Sequence, residues 1–185
     1  EGDELLEAKL TTGSSQVVLA VKSGKAIRFE ESKTRPMGRN ASGVRGIKLS
    51  NDSDEVVGMV AVNDLDTDIL VVSENGYGKR SKLEDYRITN RGGKGVKTLS
   101  VTEKTGNLVS IKNVTDSDDL MIINRSGIAI RLGVETLRVM GRATQGVRLI
   151  NIKQDDSIAA VAKVMNDDDE IQDVDELNVT IEENN

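Results

Sequence analysis

Short apolar runs separated by polar turns recur along this chain in one fixed order. Val18-Leu19-Ala20-Val21 is followed by the turn Ser23-Gly24 and then a second run from Ala26 to Phe29. The layout returns at Leu70 to Val72, Asn75-Gly76 and Tyr77 to Arg80, and again at Met121 to Ile123, Ser126-Gly127 and Ile128 to Arg131. Ser-Gly or Asn-Gly between apolar runs signals a hairpin, because the tight turn needs a residue that accepts positive φ. A further apolar stretch closes each unit, at Val56 to Val62, Leu108 to Val114 and Ile158 to Val164. Leu5 to Leu10 has the same character and is expected to be the last strand of a preceding unit.

The units align without a gap. Their turn glycines, Gly24, Gly76 and Gly127, lie 52 and 51 residues apart, and nineteen residues after each stands Gly43, Gly95 or Gly146, followed by Val-Arg or Val-Lys. Several short strands per unit at a period of about 50 residues predict an all-β array of propeller-like blades. The expected repeats are about 14–65, 66–116 and 117–165, with 1–13 as a leading strand and 166–185 as a tail. Phe29, Tyr77 and Tyr86 are the only aromatic residues, so the blades must pack through Val, Ile and Leu. Three repeats are too few to close a ring, which usually takes about four to eight blades, so the array is a fragment or stays open.

Composition removes much of chemistry. The 185 residues include neither cysteine nor histidine, which excludes disulfides, thiolate sites and the commonest general base and metal ligand. Asp116, Asp118 and Asp119 lack the loop spacing of a calcium-binding EF-hand, so no metal is expected. No apolar run is long enough for a membrane helix, and residues 1–10 lack the layout of a secretory signal, so a cytoplasmic, membrane-free location is expected.

The formal charge of −6 conceals a segregation of signs. Residues 167–185 carry nine acidic residues and no basic one, leaving residues 1–166 at +3. Within the 25 residues that start at each turn glycine, 18 basic residues stand against 5 acidic ones. Arg28, Arg80 and Arg131 follow the turn glycines by four residues, and Arg39, Arg91 and Arg142 precede the second glycines by four. Adjacent blades would gather these segments into a basic band suited to a curved polyanion such as double-stranded DNA. The candidate DNA-binding residues are Lys25, Arg28, Lys33, Arg35, Arg39 and Arg45 in the first repeat. The second contributes Lys79, Arg80, Lys82, Arg91, Gly92, Gly93, Lys94, Gly95 and Lys97, and the third Arg131, Arg138, Arg142 and Arg148.

Arg91-Gly92-Gly93-Lys94-Gly95 is the sharpest local motif. It lacks the glycine-to-lysine spacing of a phosphate-binding P-loop and lies between strands, so it is no nucleotide site. It resembles the core of the box found in the family of C-terminal domains of DNA gyrase A subunits. Gly38 to Ile47, Asn75 to Arg80 and Gly141 to Val147 are similar to later blades of that family, and the likeness covers about residues 3–164. The full box reads Gln-Arg-Arg-Gly-Gly-Lys-Gly, whereas Thr89-Asn90 occupy its first two positions here, in the middle repeat rather than the family's first blade.

The resemblance implies a β-pinwheel of four-stranded antiparallel blades that wraps and bends duplex DNA. It implies a parent ATP-dependent type II topoisomerase in which two A subunits work with B subunits to introduce negative supercoils. ATP and Mg would be used elsewhere in that enzyme, and this portion would be non-catalytic and need no cofactor. The DNA-cleaving tyrosine would lie in another domain; Tyr77 and Tyr86 read as packing residues. The alternatives are the matching domain of topoisomerase IV and a propeller-like protein-interaction scaffold. The acidic tail, beginning Asp167, Asp168, Asp169 and Glu170, has the composition of a disordered segment and is expected to compete with DNA for the basic band.

Overall fold

The computed structural model describes residues 4–153 and 155–164. Eleven strands appear among them, in chain order β1 Gln16–Val21, β2 Lys25–Glu30, β3 Val56–Val62, β4 Asp68–Ser73, β5 Tyr77–Lys82, β6 Val96–Lys97, β7 Leu108–Val114, β8 Asp119–Asn124, β9 Ala129–Gly133, β10 Val147–Arg148 and β11 Ile158–Val164. A three-residue 3-10 turn follows the second strand of each repeat, at Glu31–Lys33, Leu83–Asp85 and Val134–Thr136. The fold is all-β, as the periodicity required. The hairpin glycines Gly24, Gly76 and Gly127 take φ of +79°, +76° and +86°.

Strand order departs from a simple chain of self-contained blades. The first sheet runs β3-β1-β2-β6 and the second β10-β5-β4-β7, each antiparallel throughout. β6 belongs to the second repeat but pairs with β2 of the first, with Lys25 opposite Lys97. β10 repeats the crossing one unit later, with Tyr77 opposite Arg148. Each of these blades is therefore completed by its successor. The third sheet, β11-β8-β9, has three strands among the described residues, one fewer than expected. Gly43 to Arg45, the counterpart of β6 and β10, belongs to no strand.

The core lies between blades. β4 is buried along its whole length, and its side chains alternate between two seams, as the period of two along a strand demands. Ile69 and Val71 join Val18, Val60, Leu83 and Leu108 in the seam with the first blade. Leu70 and Val72 join Leu120, Ile122, Val134 and Ile158 in the seam with the third. A smaller cluster of Val21, Ile27, Phe29 and Ile47 covers the other face of the first blade. Tyr86 is fully buried and its hydroxyl bonds Thr98, which gives it the packing role read from the sequence.

Residues 4–10 have no β pairing, and Leu5 and Leu10 are 89% and 97% exposed. A strand needs a neighbour for its backbone groups, and the described residues supply only a side-chain contact, in which Met59 N–H on β3 donates to Glu7 Oε2. The expectations for the tail, Asp167 to Glu170 included, lie outside the described residues.

Candidate nucleic-acid interface

The loops that carry β6 and β10 cross the outer edge of the preceding blade along matching paths. In the first crossing Thr89 N–H bonds Arg28 C=O at 2.9 Å, and Lys48 N–H bonds Gly93 C=O at 2.8 Å. One repeat later Met140 N–H bonds Arg80 C=O at 2.9 Å, and Ser100 N–H bonds Thr144 C=O at 3.1 Å. Gly95 and Gly146 allow the backbones to meet. At φ of +69° and +78°, a Cβ on either would lie 2.4 Å from a carbonyl oxygen, of Ala26 and Gly78 respectively.

The registered arginines divide into rows with different jobs. Arg28 donates to Leu83 C=O at 2.8 Å and Tyr86 C=O at 3.1 Å, both in the following repeat. Arg80 donates to the equivalent carbonyl, Leu137, at 2.7 Å and pairs with Asp116 and Asp68. Both arginines are only 8% exposed. Burial lowers the Arg28 pKa, partly offset by Glu30. Lys79 is 1% exposed, with its ammonium on Gly141 C=O at 2.7 Å and on Ser81 Oγ. Desolvation pulls its pKa down to about 8, against a smaller opposing pull from Asp85 and a further lowering by Arg142. Arg28, Lys79 and Arg80, expected on a phosphate-binding face, are buried and bond across the seams to protein acceptors.

A second row clamps in the opposite direction. Arg91 donates to Lys33 C=O and Arg45 C=O of the preceding repeat, at 3.0 and 3.1 Å. Arg142 does the same to Asp85 C=O and Lys97 C=O, at 3.1 and 2.7 Å. These acceptors are one repeat apart and equivalent. Repetition of arginine in these two rows thus has a structural cause, the capping of carbonyls across each seam. Both guanidinium groups stay partly exposed, and the clamp brings Arg45, Arg91, Lys97, Arg142 and Arg148 into one line of touching loops on the outer edge.

The remaining basic residues face solvent. Lys33, Arg35, Arg39, Arg45, Lys94, Lys97, Arg138 and Arg148 are exposed, and Lys25 is partly so, with its ammonium on Ser50 Oγ. Lys82 is exposed but pairs with Asp68 at 3.0 Å, and its pKa is raised by that partner. Arg131 is exposed and bonds Asp119 at 2.6 Å. Arg87 was missed by the sequence reading. It is exposed, it stands one repeat from Arg35 and Arg138, and with Thr89, Gly93, Lys94 and Gly95 it lines a groove of about 180 Å³ over Ala26 and Ile27. Its signal lay in the spacing, since Arg35, Arg87 and Arg138 share a register just as the clamps do.

Among the described residues no group of His, Cys, Asp and Glu could hold a metal ion, and no helix is long and apolar enough to cross a membrane. What the arrangement offers is a row of clamped guanidinium groups beside exposed lysines, a concentration of positive charge of the kind that attracts a polyanion.

Comparison with known proteins agrees with this architecture. The family model for the DNA gyrase C-terminal domain, a β-propeller, matches at residues 16–63, 67–115 and 118–165. The DNA gyrase A subunit from Staphylococcus aureus (strain MRSA252) is 49% identical over 172 residues, which cover 92% of this chain and 19% of that protein. The chain spans about a fifth of the length of the curated relatives it matches. The solved structure of a DNA gyrase A C-terminal domain superposes with a TM-score of 0.75 at 27% identity, over 82% of this chain and 51% of that one. The C-terminal domain of a DNA topoisomerase IV superposes with 0.77 at 24% identity, over 82% and 47%, a likeness of fold.

Proposed function

This chain belongs to the family of DNA gyrase C-terminal domains, and from that premise we propose that it binds duplex DNA along its outer blade edge and bends it. The observation that carries the reading is the line of touching basic loops from Arg45 through Arg91, Lys97 and Arg142 to Arg148. Arg35, Arg87, Lys94 and Arg138 stand beside it as exposed cations. Lys and Arg that displace counterions from phosphates give affinity without reading bases, and contacts repeated along a curved edge favour bent DNA.

In this reading the chain is the non-catalytic wrapping portion of the larger gyrase A protein. That parent pairs with gyrase B and with a second copy of itself in the cytoplasm, and introduces negative supercoils using ATP and Mg held in other domains. The portion itself needs no cofactor. The tail from Asp167 onward competes with phosphates for the basic edge, on the strength of its nine acidic residues. The matching domain of topoisomerase IV is the weaker alternative, since the curated relatives are gyrase A proteins.

The test is binding of the chain to a duplex of about 100 base pairs over a salt series, with bending followed by end-to-end energy transfer. Affinity is expected to fall steeply with salt, and bound DNA to bring its ends together. Binding that ignores salt would favour the protein-interaction scaffold. Removing residues 167–185 is expected to tighten binding at fixed salt; unchanged affinity would dismiss the competing tail.

A further inference from the structure

The crossing of β10 onto β5 builds a second feature at one end of the basic edge. Tyr77, 6% exposed, stands opposite Arg148 in the strand register. Its hydroxyl accepts from Arg148 Nη2 at 2.9 Å and Nε at 3.3 Å, while Asn151 Oδ1 accepts from Nη1 at 3.1 Å. The Arg148 guanidinium also lies 5.4 Å from the Tyr77 ring centroid, and the Lys104 ammonium 5.3 Å from it. One aromatic ring thus holds two cations, beside a cavity of about 460 Å³ whose lining also includes Lys153, Asp155 and Asp156.

Blade packing does not demand these residues. The positions equivalent to Tyr77 are Lys25 and Ile128, and the turn that carries Lys104 in the second repeat reads Asn51-Asp52-Ser53-Asp54 in the first, with no lysine. Only the second blade combines them. The two carboxylates do not cancel the three cations. Asp156 is engaged by Ser126, Ser157 and Asn124, and the Ser126 hydroxyl is the largest influence lowering its pKa. The cavity carries one surplus positive charge, which matches the single negative charge of a phosphodiester.

We propose that Tyr77, Lys104, Arg148 and Lys153 form a phosphodiester-binding pocket, a fixed anchoring point for one backbone phosphate where the basic edge meets the end of the second blade. This rests on the reading of the edge as a DNA surface, and the phosphodiester could equally be free. Arg148, held on Tyr77, would present its remaining N–H groups, and the two lysines would close around the anion.

The chain has no tryptophan and only two tyrosines, one of them the buried Tyr86, so ring-labelled tyrosine NMR reads the pocket with an internal control. The intact chain is titrated with a 12-base-pair duplex, with dimethyl phosphate, and with sodium chloride at matched ionic strength, while duplex binding is measured separately by anisotropy. A saturable shift of Tyr77 but not Tyr86 with duplex, absent with chloride, is expected. Lys104→Gln, on an exposed loop, and Arg148→Gln should suppress that shift and weaken duplex binding about three- to tenfold, with Lys9→Gln inert. Duplex binding with Tyr77 unmoved would overturn the pocket and leave the wrapping surface standing. A Tyr77 shift with dimethyl phosphate in a chain that binds no duplex would keep the pocket and overturn the DNA reading. An unmoved Tyr77 together with no duplex binding by anisotropy would overturn both, and an equal response to chloride would reduce the pocket to general ion screening.

Discussion

The two loops that cross to the preceding blade share a backbone path and differ in their side chains. The first presents Gly92-Gly93-Lys94, with Gly93 and Lys94 beside Ile27; the second presents Ala143-Thr144-Gln145, and its Gly141 and Met140 carbonyls accept from Lys79 and Ser81. Arg91 and Arg142 clamp both, and Arg28 and Arg80 answer from beneath. What stays constant builds the frame, and what changes adjusts the surface. The first crossing keeps its cation on the outside, at Lys94, over Ala26 and Ile27. The second has buried one, at Lys79, and shows neutral Gln145 to solvent. Recurrence of a charge in register is therefore evidence of architecture before it is evidence of ligand binding.

That distinction between frame and surface is tested most severely at Arg80. Arg80→Ala leaves Asp68, whose side chain is 6% exposed, with Lys82 as its remaining cation and frees the Leu137 carbonyl, and is expected to lower stability by about 2–4 kcal/mol. Arg28→Ala, whose partners are carbonyls and Gln16, should cost about 1–3 kcal/mol. Equal urea midpoints for the two variants would show that the buried carboxylate does not separate the seams. Gly95→Ala and Gly146→Ala should each cost about 1–3 kcal/mol, through positive φ and the close carbonyl. A loss at only one of them would mean that the crossings are not equivalent.

Lys79 sharpens the contrast through pH. Its folded pKa of about 8 lies below the ordinary 10.5, so the unfolded chain binds its proton more tightly, and this group adds stability as pH rises from about 8 to 10.5. The gain should be on the order of 1–2 kcal/mol once solvent screening is allowed for. Tyr86 acts in the opposite sense. Burial pushes its pKa up to about 12 from 10.0, so its contribution is lost as pH climbs from 10 to 12. Urea unfolding against pH should therefore show a rise followed by a fall, and Lys79→Met should keep only the fall. The smallest effect belongs to the surface. Arg87→Gln, Lys94→Gln or Arg138→Gln should each reduce the salt slope of DNA binding by about one at unchanged stability, and Gln145→Lys should raise it.

Much of the fold was legible because a period of two and a fixed turn glycine leave few choices. The strands, hairpins and repeat length all follow from where Val, Ile, Leu and Gly stand. The crossing was not legible. Val96-Lys97 and Val147-Arg148 are two-residue strands, too short to carry periodicity, and pairing between repeats has no signature within either. For the same reason the site was half read. Basic residues were found by register, but whether Arg28 meets solvent or Leu83 depends on a loop that arrives 55 residues later. β5 makes the point from the other side. Tyr-Gly-Lys-Arg-Ser-Lys looks like an exposed strand, yet its first five residues are buried.

The borrowed fourth strand also has a consequence during synthesis on the ribosome. β2 emerges well before β6, so for several seconds at usual translation rates the first blade shows a bare edge to a crowded cell. Bare edges invite pairing with other nascent chains, and charged residues discourage it. Lys25, Arg28 and Glu30 on β2, and Lys79, Arg80 and Lys82 on β5, place charge on each waiting edge, so Arg28, Lys79 and Arg80 discourage such pairing before they serve as clamps.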